Sequence, residues 1–339
     1  MFFSMNITSE HIDRLFASFN GMRVMIIGDV MIDAYTEGVV ERMSPEAPVP
    51  VLDVRKRYNR LGGAANVALN IKALGAEPYI CSVIGNDLKG KKFFQLLNEN
   101  GLETSHIAQS GCRSTTLKER IISNGKQMLR IDQEDTFDLT DEEQQQLTAI
   151  INKTVQSEKI DCIILQDYNK GVLTKSLIEA TIALARKENI PVVVDPKKKN
   201  FLAYKNVTLF KPNAKELREG LAAEDNNSIE SNTEKIQELL QCEMVMTTLS
   251  EKGIIIRAKT DSTEFHHIPA HQRDIVDVSG AGDTVLSVAS LCIVAGENPF
   301  NIAAISNIAG GLVCEKVGVV PIDKEKLRLE VKNIYATNA

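Results

Sequence analysis

Between Asp161 and Thr247 the chain alternates short apolar runs with amphipathic stretches, and this alternation restricts its fold more than any other feature. Asp161–Gln166, Pro191–Val194, Val207–Phe210 and Glu243–Thr247 are each too short for a helix. With Arg23–Ile27 near the start, they read as buried parallel strands, apolar on both faces. Each run ends in polar residues: Gly28-Asp29, Asp167-Tyr168-Asn169-Lys170-Gly171, Asp195-Pro196-Lys197, Lys211-Pro212-Asn213-Ala214-Lys215-Glu216 and Thr248-Leu249-Ser250-Glu251-Lys252-Gly253. Open α/β sheets bind ligands at the carboxyl ends of their strands, so these are the places to look for a site. The fold class is α/β with a mostly parallel central sheet.

The remaining elements fit between these strands. Helices are expected at about 9–19, 64–74, 88–100, 141–157, 174–187 and 299–315, and from 323 onward. Further strands are expected at 78–84, 253–258 and 263–268. Ser44–Val54 carries three prolines and cannot be helical, so it reads as an extended excursion from the main sheet. Thr115–Ile122 and Lys126–Asp132 flank Asn124-Gly125, the strongest short hairpin signal. Together these segments predict a small β lid at about 36–60 and 112–132, and an exposed lid edge points to a homodimer. One domain is expected over 1–339.

Charge and cysteine usage narrow the classes. A formal net charge of −6 argues against a nucleic-acid surface. The six cysteines (Cys81, Cys112, Cys162, Cys242, Cys292, Cys314) are scattered with no C-x-x-C, which favours reduced buried thiols over disulfides or zinc. No apolar stretch has the length of a membrane span, and Met1–Met5 is too short for a signal peptide. A cytoplasmic protein is the expectation.

The chemistry concentrates in Asp277-Val278-Ser279-Gly280-Ala281-Gly282-Asp283-Thr284, which leads into the apolar run Val285–Gly296. A glycine turn feeding the first turn of a buried helix leaves N–H groups of Gly280, Ala281, Gly282 and Asp283 open to an anion. A carboxylate beside such a nest is what phosphoryl transfer to an alcohol requires, with Asp283 taking the hydroxyl proton. The plainer alternative is a helix N-terminal acid after a tight turn. Upstream, Asp29 and Asp33 stand four apart after the first strand and read as paired acceptors for sugar hydroxyls, or as a turn acid and a solvent-facing one. Gly62, Gly63 and Asn66 open a helix and suit close backbone approach by a sugar. Lys118, Arg130 and Asp132 lie on the hairpin strands; two cations facing the site would suit a phosphorylated acceptor. Gly85–Lys92 nearly spells a P-loop, but Lys92 stands where Ser or Thr must meet magnesium, and Gly90-Lys91 falls inside a helical pattern.

Asp277–Thr284 resembles the C-terminal motif of the ribokinase/PfkB carbohydrate kinases, and the likeness extends over about 23–322. It implies a ribokinase-like three-layer α/β/α sandwich with a β lid, using ATP and Mg²⁺. On that resemblance Asp283 is the catalytic base and Gly62, Gly63 and Asn66 form the sugar motif. Asn213 and Glu216 match the Asn-x-x-Glu segment, with Glu216 organising Mg²⁺ through water. Thr248, Ser250 and Gly253 meet the nucleotide, and Asn307 lies on the adenine side. Asp277 and Ser279 would hold a monovalent cation, K⁺, although Gly318–Pro321 is shorter than the usual segment there.

Within the family, Gly28–Asp33, Ser44–Val51, Arg130–Asp132, Asp167–Gly171 and Asp195–Lys197 are similar to the D-glycero-β-D-manno-heptose 7-phosphate kinase domain of ADP-heptose synthesis, a route to lipopolysaccharide. That likeness places Asp167 and Lys170 toward the sugar and offers Lys170 and Lys197 as charge-neutralising cations. The expected acceptor is O1 of the heptose 7-phosphate; the alternative is fructose, fructose 6-phosphate or a ribose-type sugar. Too few residues follow the kinase region for the nucleotidyltransferase domain often fused there. Two other classes compete. An NAD(P) oxidoreductase needs G-x-G-x-x-G after the first strand, which Gly28-Asp29-Val30 does not supply, and a non-catalytic sugar-binding protein would be expected to lack Asp283 or its glycines.

Overall fold

The computed structural model describes residues 7–223, 227–259 and 265–337. The Met1–Met5 segment and the first two residues of the strand expected at 263–268 lie outside that range. In chain order the elements begin with β1 (Ile7–Thr8), α1 (Ser9–Ser18), β2 (Arg23–Gly28) and a long hairpin of β3 (Val30–Met43) and β4 (Pro50–Gly63). Next come α2 (Ala64–Ala73), β5 (Glu77–Gly85), α3 (Leu88–Glu99), β6 (Ile107–Ser110) and a second hairpin, β7 (Leu117–Ser123) and β8 (Lys126–Gln133). The middle of the chain is α4 (Asp141–Ser157), β9 (Cys162–Gln166), α5 (Lys175–Lys187), β10 (Val192–Asp195), β11 (Leu209–Phe210), α6 (Ala214–Leu221), α7 (Ile229–Leu240) and β12 (Met244–Thr248). It closes with β13 (Ile254–Ala258), β14 (Phe265–Ile268), α8 (Ala281–Val294), α9 (Pro299–Cys314), α10 (Lys324–Tyr335) and β15 (Ala336–Thr337), which pairs in parallel with β1.

The central sheet has nine strands in the order β14-β13-β12-β11-β10-β9-β2-β5-β6, and only the β12–β13 and β13–β14 pairs are antiparallel. β2 shows why a three-layer sandwich results. Val24, Met25, Ile26 and Ile27 are all fully buried, so neither face of the strand meets water. Val24 and Ile26 pack into the core shared with α2, α8 and α9. Met25 and Ile27 pack into a second core with α4 and α5. Each of these side chains gains roughly 1.5–3 kcal/mol from burial. From β2 the chain builds outward to β5 and β6, then returns to β9 on the other side. That reversal creates a crevice at the carboxyl ends of β2 and β9.

The lid is a separate four-stranded sheet, β4-β3-β7-β8, spanning 30–63 and 117–133. It starts one residue after β2, so Asp29 alone separates β2 of the main sheet from β3 of the lid. Register shifts after Glu37 and Val40 bend β3. The proline segment divides as its chemistry requires, with Pro45 and Pro48 in the connection and Pro50 opening the edge strand β4. Asn124 (φ 50°) and Gly125 (φ 74°) make the two-residue turn between β7 and β8. Gly62 and Gly63, expected to open a helix, end β4, and Gly63 (φ 63°) passes directly into α2. Five cysteines are buried, Cys112 is exposed and all six are free. Among the described residues no helix is long and apolar enough to cross a membrane.

Candidate active site

Eight of the ten helices among the described residues have a side chain accepting a hydrogen bond at their N-terminus: Thr8, Asp87, Thr140, Thr174, Asn213, Ser228, Asn298 and Asp323. The exceptions are α2 and α8, which start at Gly63 and Gly280 with no side-chain cap. Gly280 has φ 81°, and a Cβ there would approach Asn66 Nδ2 to 3.0 Å. These two uncapped ends meet: Asn66 Nδ2, in the first turn of α2, donates to Asp283 Oδ2 at 2.7 Å. Two helix N-termini whose N–H groups no side chain occupies are suited to anionic ligands.

Asp283 is only 5% exposed. Tyr168 donates its hydroxyl to Asp283 Oδ1 at 2.7 Å, and Gln166 Nε2 approaches the same oxygen at 3.3 Å. Burial pushes the Asp283 carboxyl up to about 6, against the bonds from Asn66 and Tyr168, which favour the charged form; Asp195 pushes it further up and Lys211 pulls it down. Behind it, Lys211 is almost wholly buried and pairs with Asp195 at 3.1 Å, and Gln166 Nε2 also reaches Asp195 Oδ2 at 3.3 Å. A Cβ on Gly282 would lie 3.7 Å from Lys211 Nζ, so the glycine turn faces this ammonium. A carboxylate able to take a proton therefore stands beside fixed N–H donors and a buried cation.

On the other side of Tyr168, Lys197 stands 5.6 Å from its ring centre and is ion-paired with Glu216. Burial opposes the Lys197 charge, but Asp195 and Glu216 outweigh it and hold the group above its ordinary range. Asn213 and Glu216 form a reciprocal capping box at the start of α6, each bonding the other's backbone N–H at 2.9 Å. Lys197, Lys198 and Lys215 line one cleft with Glu216 and Glu219, a surface with one more cation than anion that could meet a polyphosphate. Thr248 lies beside Asn213 through a parallel bridge, while Ser250 (φ 55°) and Gly253 (φ 92°) shape the β12–β13 connection. A Cβ on Gly253 would collide with Ile268 O at 2.0 Å. Asn307 donates to Pro269 O at 2.8 Å and ties α9 to the segment after β14.

Several acids do other work than the sequence reading gave them. Asp29 is 1% exposed and spends most of its acceptor capacity on backbone. Its carboxylate accepts three backbone N–H groups, from Tyr168 at 2.8 Å, Lys170 at 3.0 Å and Val172 at 3.0 Å. Asp167, expected toward the sugar, accepts from Asn169 N and from the Tyr204 hydroxyl, both at 2.7 Å, and burial pushes it up to about 6. Both carboxylates therefore shape the loop after β9. Asp33 keeps a place on the lid face but is paired with Arg120. A Cβ on Gly62 would meet Asp33 Oδ2 at 2.3 Å, which explains the glycine opposite it.

The hairpin cations are also engaged. Lys118 reaches Asp132 at 3.0 Å and Glu134 at 2.8 Å, while Lys170 reaches Glu134 at 2.5 Å. Arg130 is half-exposed and bonds Asp132 through two nitrogens at 2.8 and 3.0 Å. The structure thus brings Lys118 and Lys170 together at Glu134 and leaves Arg130 further out. Asp277 joins the catalytic turn to the segment after α9, accepting Ser279 N at 2.9 Å and Gly318 N at 2.8 Å. Burial raises its carboxyl, but these bonds outweigh burial and hold it below the usual range.

Tyr168, Gln166, Asp195 and Lys211 were not singled out from sequence, although each stands at or just past the end of a strand. Asp195 and Gln166 are direct partners in the parallel register of β9 and β10. Register aligns them beside Asp283, and a single sequence does not disclose it.

Bifunctional protein HldE of Methylobacillus flagellatus is 38% identical over 312 residues, covering 91% of this chain and 63% of the relative. Bifunctional protein HldE of Helicobacter pylori is 37% identical, covering 91% and 66%. The chain thus spans under two thirds of the length of these curated relatives. In fold it is similar to phosphofructokinase-2 from Escherichia coli in complex with potassium (TM-score 0.74, 19% identity, 93% of this chain and 98% of that one). It is also similar to Arabidopsis thaliana ribokinase complexed with ribose and ATP (TM-score 0.69, 17% identity, 91% and 99%). The family model for pfkB family carbohydrate kinases matches residues 22–326, so the chain belongs to that family.

Proposed function

We propose that this carbohydrate kinase transfers the γ-phosphoryl group of ATP to O1 of D-glycero-β-D-manno-heptose 7-phosphate, giving the 1,7-bisphosphate and ADP. The observation that carries the reading is the Asp283 carboxylate, buried, raised to about 6 and set between two uncapped helix N-termini. Asp283 takes the proton of the sugar hydroxyl as the oxygen attacks phosphorus in line, and the bond from phosphorus to the ADP oxygen breaks. The Gly280, Gly282 and Asp283 N–H groups and Lys211 stabilise charge on the phosphoryl oxygens, whereas the Ala281 N–H, expected to join them, donates to Val278 O at 3.3 Å; Lys197 and Lys215 face the polyphosphate.

Glu216 lines that cleft and, with its oxygens already held by Lys197 and the Asn213 N–H, would meet a divalent ion through water. Bound Mg²⁺ would neutralise the triphosphate. Asp277 and Ser279 remain the proposed K⁺ residues, with Thr248, Ser250, Gly253 and Asn307 on the nucleotide side. A cytoplasmic location, where ATP is supplied, is part of the same proposal.

The 7-phosphate choice is supported by Lys118 and Lys170, both largely buried and converging on one carboxylate that a phosphate would replace. It is also supported by the Ser44–Val51 block described above. Purified protein with Mg·ATP should prefer heptose 7-phosphate over fructose 6-phosphate, fructose and ribose; against fructose and ribose, which carry no phosphate, the preference should reach at least about tenfold in kcat/KM, since removing a paired charge contact costs ~1.4 kcal/mol or more. Preference for another sugar would overturn the substrate, and no turnover on any of them would overturn the kinase.

A further inference from the structure

The loop after β9 is held far more firmly than a surface connection needs. Asp29 accepts its backbone N–H groups at Tyr168, Lys170 and Val172. Asp167 accepts that of Asn169, and Asn169 (φ 56°) and Gly171 (φ 89°) both take left-handed backbone. A Cβ on Gly171 would strike Phe137 O at 1.9 Å, so the loop is also pressed against the segment before α4. The side chain that this scaffold delivers to the base is Tyr168, whose hydroxyl lies 2.7 Å from Asp283 Oδ1.

We propose that Tyr168 is a positioning residue for the base: with Asn66 on Oδ2, its hydroxyl on Oδ1 fixes the plane of the Asp283 carboxylate and favours the charged form that takes the acceptor's proton. The assignment rests on Asp283 being the base. Asn66 and Tyr168 occupy opposite oxygens, which restrains rotation of the carboxylate; with Gln166 Nε2 also on Oδ1, the lone pair left for the sugar proton is on Oδ2. The charged groups facing this pair are Asp195 and Lys197 at the end of β10, Lys211 after β11 and Asp33 on β3. Burial first, then Asp283, holds the Tyr168 phenol well above its ordinary range, so it stays a donor at any working pH. Asp29 acts one step further back, since it anchors the backbone N–H of Tyr168 itself.

The test is Tyr168→Phe, which removes the hydroxyl and keeps the ring. Protein carrying ¹³C-carboxyl aspartate, without substrate, would be titrated by NMR, with Asp283→Asn identifying the signal. The Asp283 midpoint is expected to rise by about 0.5 to 1 pH unit in Tyr168→Phe, the effect of losing one hydrogen bond to a carboxylate. The acidic limb of kcat/KM should move by the same amount, so that activity drops about two- to fivefold at pH 6 and hardly at all at pH 8. An unchanged midpoint, with activity either intact or lowered uniformly at every pH, would overturn the proposal. The NMR titration needs no turnover, so it decides the role of Tyr168 even if the sugar panel shows that the chain is no kinase.

Discussion

Asp283 carries two demands that oppose each other. As the proposed base it must be ionised at working pH, yet it is buried where the charged form is disfavoured, and burial pushes its carboxyl up to about 6 from 3.8. A carboxyl whose pKa is raised on folding binds protons in the folded state between the two values, so its contribution to stability falls as pH rises through that window. Asp283→Asn removes this penalty. Relative to wild type the variant should gain about 1–3 kcal/mol of stability above pH 6.5, and the difference should vanish near pH 4. Thermal unfolding of the two proteins at matched pH checks this; equal stability at pH 7 and pH 4 would mean that the carboxylate is no more costly folded than unfolded. Wild-type kcat/KM should move the opposite way, falling as pH drops below about 6.

At the scale of elements, the site is a junction of strand ends and two helix starts, and Asp29 is its least replaceable support. Asp29→Ala leaves three N–H groups without their acceptor in a buried place. A loss of about 2–4 kcal/mol is expected, with kcat falling as Tyr168 and Lys170 lose their anchor. Chemical denaturation and steady-state kinetics measure both, and a variant as stable as wild type would contradict the account.

This is also where sequence reading reached its limit. The glycine turn, Asp283, Asn66 and the strand ends were legible because backbone constraint and apolar patterning are local. The role of Asp29 was not, because a carboxylate after a strand looks the same whether it faces a sugar or a loop 139 residues away. Nor was the meeting of Lys118 with Lys170, since it depends on how the lid hairpin folds over the main sheet. Gln166, Asp195 and Lys211 escaped for the same reason: strand register, not composition, brings them to the base.

For the molecule as a whole, the lid leaves apolar side chains in water. Met128, Leu129 and Ile131 on β8 and Val54 on β4 are all exposed, on the two edge strands of a small sheet. We propose a homodimer formed through the lid. Wild type should sediment as a dimer at micromolar concentration, and the pair Leu129→Lys with Ile131→Lys should shift it to monomer with the fold intact. A monomeric wild type, or a variant that stays dimeric, would contradict this arrangement.

The central claim is that Asp283 removes the acceptor proton, and steady-state kinetics of Asp283→Asn with Mg·ATP and the preferred sugar test it most directly. The account predicts a fall in kcat of ~10²–10⁴-fold with KM little changed, because the amide keeps the shape of the site and loses only the base. Turnover near that of wild type would contradict it.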